Sequence, residues 1–286
     1  MRFHLDTTEI YVPDGLPVEQ ALARTTHLAI SAHQDDIEIM AAGPILECFQ
    51  REDLWFTGVV VTDGRGSPRD DIYKNFTDEE MHTVRMKEQK KAAVVGEFAA
   101  QVLLDYPSKI IKNAGNTQPV EDITAILRAS RPKAVYTHNL ADKHDTHVAV
   151  AQRVIAAIRA LPAAERPEKL YGCEVWRNLD WLVDSDKVTF DLSTHENLQA
   201  ALLGVFDSQI AGGKRYDLAS MGRRKANATY HESHGTDATQ GLSFGMDLTP
   251  LIQNDHLDIR AYIQDYIARF SRDVIDRLER SGAFTG

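Results

Sequence analysis

The chain alternates short apolar runs with longer stretches in which apolar positions recur every three or four residues. Residues 26–32 (THLAISA) form the first run, ended by charge at Asp35, and its length suits a buried strand. A helical pattern starts at Asp36. Residues 54–62 (LWFTGVVVT) repeat the strand pattern, and residues 77–96 open with T-D-E-E, the spacing of a capping box, with Val84, Ala92 and Val95 further along. The order returns as a strand at 101–104 with a helix near 120–130, and as a strand at 133–137 with an Ala/Val-rich helix over 145–161 that Pro162 closes. Residues 169–176 end the alternation. Strands alternating with helices of ten or more residues build βαβ units, so the pattern predicts an α/β fold: a Rossmann-like, mostly parallel sheet with helices on both faces. Ligands of such sheets bind beyond the carboxyl ends of the strands, and chemistry is to be sought there.

The second half is less regular. Helical spacing covers 194–208 and 213–228, and the polar stretch 230–247 (YHESHGTDATQGLSFGMD) reads as a loop. A last long helix over 257–281 places Ile259, Ile263, Tyr266, Ile267, Phe270, Val274 and Leu278 on one face. That face is expected to pack on the core, the alternative being a seam in a homo-oligomer. Without repeats, low-complexity segments or a linker, the chain reads as one domain over 1–286, with a core at 26–176 and a C-terminal elaboration at 177–286.

Composition narrows the classes. Of 286 residues, 32 are Lys or Arg and 42 are Asp or Glu, a net charge of −10, and 43% are hydrophobic. This is ordinary globular usage with no basic patch, so nucleic acid and anionic membranes are not the expected partners. Cys48 and Cys173 lack CxxC spacing and sit in apolar surroundings, so they read as buried thiols of a reducing compartment. The first 25 residues show no basic start followed by an apolar run, and no window approaches a membrane span of ~20 apolar residues. A cytoplasmic location is the expectation.

Candidate chemistry lies at two strand ends. After the first strand comes His33-Gln34-Asp35-Asp36-Ile37-Glu38, and after the strand at 133–137 comes His138-Asn139-Leu140-Ala141-Asp142-Lys143-His144-Asp145-Thr146-His147. In a parallel sheet both segments share one edge. A catalytic divalent metal takes three nitrogen or oxygen ligands and keeps one position open, which a His and an Asp from one loop with a His from the other would provide. Adjacent side chains diverge, so one of Asp35 and Asp36 can ligate while the other acts as general base towards water. His144 and His147 share a helix face, so one can ligate while the other faces a developing oxyanion.

At these residues the chain resembles the PIG-L/LmbE-like family of zinc-dependent N-acetylglucosaminyl deacetylases, which pair an A-H-P-D-D-x-E segment with a later H-P-D-H segment. The resemblance spans about residues 26–150 and includes TDGRG at 62–66 and RMKEQKKAAVVG at 85–96, with a weaker echo at Asp207-Ser208-Gln209. It implies metal ligands His33, Asp36 and His147, general base Asp35, an acid or oxyanion-stabilising role for His144, and a substrate contact from Arg85. It also implies zinc as the cofactor, with Fe²⁺ fitting the same ligands, and an amino-sugar substrate that gives acetate and a free amine. Gln34 replaces the family's Pro, which should loosen the turn. Asp145-Thr146 replaces Pro-Asp, leaving Asp142 or Asp145 to support His144.

Other features are weaker. Gly241-Leu242-Ser243-Phe244-Gly245 matches a nucleophile elbow without the strand and helix that motif needs, so a serine hydrolase using Ser243 remains a rival class. A metal- or sugar-binding protein without turnover is another. Trp55, Trp176 and Trp181 are expected in the core, Trp181 having an alternative place against a ligand. His231 and His234, with Glu232, give the 230–247 stretch a substrate-side role as a covering loop.

Overall fold

The computed structural model describes residues 1–282. Its strands are β1 Glu9–Tyr11, β2 His27–Ser31, β3 Phe56–Thr62, β4 Ala100–Tyr106, β5 Ala134–His138, β6 Lys169–Cys173, β7 Lys187–Asp191 and β8 Leu242–Asp247. They form one eight-stranded sheet in the order β1-β4-β3-β2-β5-β6-β8-β7. The pairs β4-β3, β3-β2, β2-β5 and β5-β6 are parallel. β1 lies antiparallel on β4, β8 antiparallel on β6, and β7 antiparallel on β8.

The parallel strands are covered on both sides. One face of the sheet packs Leu28, Ile30, Val59, Val61 and Val102 with residues of the helices Gln118–Ser130 and Asp145–Arg159. The other packs Ala29, Val60 and Leu103 with Ile37, Ile45 and Leu202. Successive residues of one strand thus feed opposite cores, which is why these strands read as unbroken apolar runs. The helix Asp78–Val95 begins with the expected capping box: the Glu80 N–H donates to Thr77 Oγ1 at 3.2 Å and the Thr77 N–H to Glu80 Oε2 at 2.8 Å.

Several expectations change. The end of the 230–247 stretch is β8, an inner strand between β6 and β7. Burial on both faces removes the polar–apolar alternation that would have marked it, and its glycine has a packing reason: a Cβ on Gly245 would stand 2.8 Å from Phe190 Cε2. β1 and β7 are short sheet-edge strands that the hydrophobic pattern did not mark. The helix expected at 194–208 is two helices, Glu196–Gly204 and Asp207–Ile210, and the next is Tyr216–Tyr230. The last helix, Ile259–Arg280, packs on the core at its start through Ile259, Tyr262, Ile263 and Tyr266. Further along it leaves the core, with Ile267 50% and Phe270 39% exposed. Both cysteines are free and buried. No helix among the described residues is long and apolar enough to cross a membrane.

Candidate metal centre

The sheet order reverses between β2 and β5: β3 and β4 continue to one side, β6 to the other. A crevice opens at the carboxyl ends of strands where such a reversal occurs. The two segments singled out in the sequence leave β2 and β5 at that point.

After β2 the chain turns sharply. Asp35 has φ +93°, in the left-handed region that a non-glycine residue rarely adopts, and it precedes the helix Asp36–Met40. Asp36 turns inward, where its Oδ2 accepts the His33 N–H at 2.7 Å. The same oxygen lies 3.2 Å from His33 Nδ1 and 3.3 Å from His147 Nε2, and those two nitrogens are 3.1 Å apart. Three donors bound at about 2.0–2.1 Å to one tetrahedral ion would be roughly 3.3–3.4 Å from one another, so the triangle has the dimensions a divalent metal needs. Burial works against ionisation of Asp36, but His147, His33 and His138 hold its carboxyl far below the usual range.

His147 lies in the first turn of the helix Asp145–Arg159 and is fully buried. Asp142 Oδ2 stands 3.5 Å behind its Nδ1, an electrostatic contact too long for a good hydrogen bond. Burial opposes the charged form of His147, and Asp36 and Asp142 more than offset it. Asp142 thus backs His147, and towards His144 it accepts only the backbone N–H, at 3.1 Å. Asp145 is exposed. The ring of His144 therefore has no carboxylate of its own; its Nδ1 is sealed without a partner, leaving Nε2 to reach the cleft. Burial, followed by His147 and His33, keeps His144 below its ordinary pKa and hence neutral.

Four histidines gather here in two overlapping groups with donors within 4.8 Å, His33, His144 and His147, and Asp36, His138 and His147. His138 stacks on His147 at 3.9 Å, but its Nε2 accepts the Ala32 N–H at 2.8 Å. With that lone pair engaged it is a wall that fixes the plane of His147. The sequence named His138 without a role; its position as the last residue of β5 was the available signal.

Asp35 points along the cleft, Oδ2 3.9 Å from Arg85 Nη2. Burial pushes its carboxyl well above the usual range; Arg85 opposes this, and Asp36 and Glu38 add to it. Arg85 is buried on the helix Asp78–Val95 and donates to the Gln34 carbonyl at 2.6 Å and to Ser67 Oγ at 2.5 Å. It lines the cleft and braces both flanking loops. Gln34 does not loosen the turn: its side chain is buried and donates to the Thr62 carbonyl at 3.2 Å. Opposite it Gly64 has φ +68°, and a Cβ there would lie 2.3 Å from Gln34 Oε1, so only glycine passes at that point.

These groups open into a cleft of about 480 Å³ whose walls include His33, Asp35, Asp36, Arg85, His144 and Trp176. Trp176 was expected in the core and instead faces the cleft, as do Gln209, Lys214 and Tyr216. These come from distant parts of the chain, and only Gln209 had a sequence signal, the echo at 207–209. Trp181 packs edge to face with Phe270, and Trp55 lies under Arg24. His231 ends the helix Tyr216–Tyr230 with its ring 5.5 Å from Phe244, and His234 is exposed. Neither is among the cleft walls. Ser243 lies inside β8, buried, with no hydrogen-bond partner for its hydroxyl, which is not the exposed turn of a nucleophile elbow.

Fold and site place the chain among α/β proteins whose ligands bind at the switch point of a parallel sheet. Residues 28–158 match the family model described as GlcNAc-PI de-N-acetylase, PIG-L. The fold is similar to the conserved protein TT1542 from Thermus thermophilus, at 18% identity and TM-score 0.62 over 79% of this chain and 96% of that one. It is also similar to the N,N'-diacetylchitobiose deacetylase of Pyrococcus horikoshii, at 15% identity and TM-score 0.61 over 80% and 86%. The 4-carboxy-2-hydroxymuconate hydratase GalB of Pseudomonas putida has the same fold at 14% identity and TM-score 0.59 over 78% and 96%. The sequence matches no curated protein.

Proposed function

We propose that the chain is a metal-dependent N-deacetylase that hydrolyses the acetamide of an N-acetylglucosamine-type substrate, releasing acetate and a free amine. The observation that carries this reading is the His33–Asp36–His147 triangle, with edges of 3.1 to 3.3 Å, on the floor of an open cleft. Those residues would hold Zn²⁺ or Fe²⁺. When bound, the ion supplies Lewis acidity towards the acyl carbonyl and a lowered pKa for water.

The remaining steps belong to side chains. Asp35 is divided from Asp36 by the left-handed turn and takes the proton of the attacking water. The environment that raises its pKa favours keeping that proton, so the same carboxyl can return it to the departing nitrogen. His144, neutral and with Nε2 towards the cleft, donates a hydrogen bond where negative charge grows on the acyl oxygen. Arg85 stabilises Asp35 as an anion before the proton moves, and it orients substrate from the cleft wall. The working unit is read as one domain, with the segment from 177 onward closing the cleft through Gln209 and Tyr216. The physiological setting is read as the cytoplasm.

The test is an amine-release assay over N-acetylglucosamine conjugates with metal-replete protein, with and without a chelator. Amine and acetate in equal amounts, abolished by chelation and restored by added metal, are expected. Chelator-insensitive activity together with labelling of Ser243 by a fluorophosphonate would overturn the reading.

A further inference from the structure

Trp176 and Tyr216 meet edge to face, ring centroids 6.0 Å apart. Beyond them the cleft continues into an annex of about 320 Å³. Ile39, Val175, Trp176, Lys214 and Tyr216 are walls of both spaces. The annex has an apolar floor of Ile39, Val175 and Ala219, and its charged walls are Lys214, Arg215 and Arg223, with no carboxylate among the lining residues. Three cationic and no acidic lining residues are a marked local reversal on a chain of net charge −10.

The cations differ in what engages them. Arg215 is already paired with Asp217 at 2.8 Å. Among the described residues, neither Lys214 nor Arg223 has a carboxylate oxygen within 4.0 Å. Arg223 Nη1 donates to the Val175 carbonyl at 2.5 Å, which fixes the guanidinium at the annex wall and leaves its other nitrogens to bind. Lys214 Nζ lies 5.0 Å from the Trp176 ring centroid. The turn that presents it requires a glycine, because a Cβ on Gly212 would stand 1.8 Å from the Ser208 carbonyl oxygen. Glu174 feels the charge of Arg223, but its carboxyl oxygens are engaged by the Phe244 and Leu179 N–H groups and by Asn227 Nδ2.

We propose that the annex holds an anionic group, carboxylate or phosphate, on the part of the substrate that stays with the released amine, with Lys214 and Arg223 as its counter-charges and Trp176 beside the connecting atoms. This rests on the deacetylase reading of the adjoining cleft. The apolar floor lowers the local dielectric beside the half-buried Arg223, so its guanidinium fork selects an anion more strongly than a fully solvated cation would, and the exposed Lys214 adds a second charge. The cationic mouth also draws such substrates in against the repulsion of the acidic surface around it.

Binding to Asp35→Asn protein, measured by calorimetry, separates recognition from turnover. The probes are N-acetylglucosamine 1-phosphate, the carboxymethyl glycoside and the neutral methyl glycoside of N-acetylglucosamine. At least one anionic probe should bind about 10-fold or more tightly than the neutral one at low salt, with the preference shrinking as salt is raised. The tighter of the two anions tells phosphate from carboxylate. Lys214→Gln, and separately Arg223→Gln, should each reduce the anionic-to-neutral affinity ratio by about 5-fold or more. Lys214 is exposed, so its substitution keeps the test valid if Arg223→Gln fails to fold. A ratio near one, or a ratio unchanged in Lys214→Gln, overturns the proposal. Acetate release by the wild type from the methyl glycoside alongside a ratio near one would keep the deacetylase and remove the annex. A high ratio with no acetate from any probe would keep the anion site and remove the deacetylase.

Discussion

Arg224 links the C-terminal segment to the site, and its removal has a size that the structure defines. It is 4% exposed on the helix Tyr216–Tyr230, where Nη2 donates to the carbonyls of Glu38 at 2.8 Å and Ile39 at 3.4 Å, and Nη1 to Gln199 Oε1 at 3.1 Å. Those carbonyls belong to the last turn of the helix Asp36–Met40, which lacks partners of its own for them. Truncation in Arg224→Ala leaves acceptors buried and unpaired at roughly 1–3 kcal/mol each and empties the space of a long side chain. A total near 3–5 kcal/mol corresponds to a melting temperature lower by about 5–8 °C for a chain of this size. Because that helix carries Asp36, metal affinity should fall with stability, while Arg224→Lys, keeping charge without the planar fork, should fall between. Thermal melts paired with metal titration read both effects. A variant that melts within 1 °C of wild type, or higher, would show that desolvating the cation costs as much as its three acceptors return, and would refute the reasoning.

Glu38 is pushed by burial from its ordinary 4.5 to about 8, and its Oε1 accepts a hydrogen bond from Gln89 Nε2 at 2.8 Å. Between those pH values the unfolded chain releases the proton that the folded chain keeps, so stability falls as pH rises by up to ~1.4 kcal/mol per unit. Glu38→Gln should flatten the melting profile from pH 5 to 8, and a merely parallel shift would contradict this. Burial, aided by Glu47, raises the Cys48 thiol to about 12, and burial raises Cys173 as well. A disulfide reagent at pH 8 should therefore react with the folded protein on the order of 10³-fold more slowly than with the unfolded chain, and rapid labelling of either thiol would show that its burial is wrong. Asp35→Asn should keep the metal and lose ~10²-fold or more in kcat, whereas loss of metal in this variant but not in Asp36→Asn would exchange the two roles.

The parallel half of the fold was legible because β2 to β5 are buried on both faces and therefore announce themselves as apolar runs between helical spacings. Both site segments were legible for the same reason, since the sheet rule places chemistry where such runs end. β8 was not, because its serine and its glycine answer to Phe190 across the strand pair and not to any local pattern. The division of labour among the histidines was also hidden: only the Ala32 N–H bond shows that His138 has no lone pair to spare, and only the distance to Asp142 shows which histidine that carboxylate backs. Trp176, Lys214 and Tyr216 reach the cleft through contacts between residues far apart in sequence. Local spacing carries no trace of them.

Elemental analysis of the dialysed protein and its ligand variants decides whether His33, Asp36 and His147 hold a metal. About one divalent ion per chain is expected in the wild type, in Asp35→Asn and in His138→Gln, and little or none in His33→Ala and His147→Ala. Wild-type stoichiometry in both His33→Ala and His147→Ala would contradict that assignment.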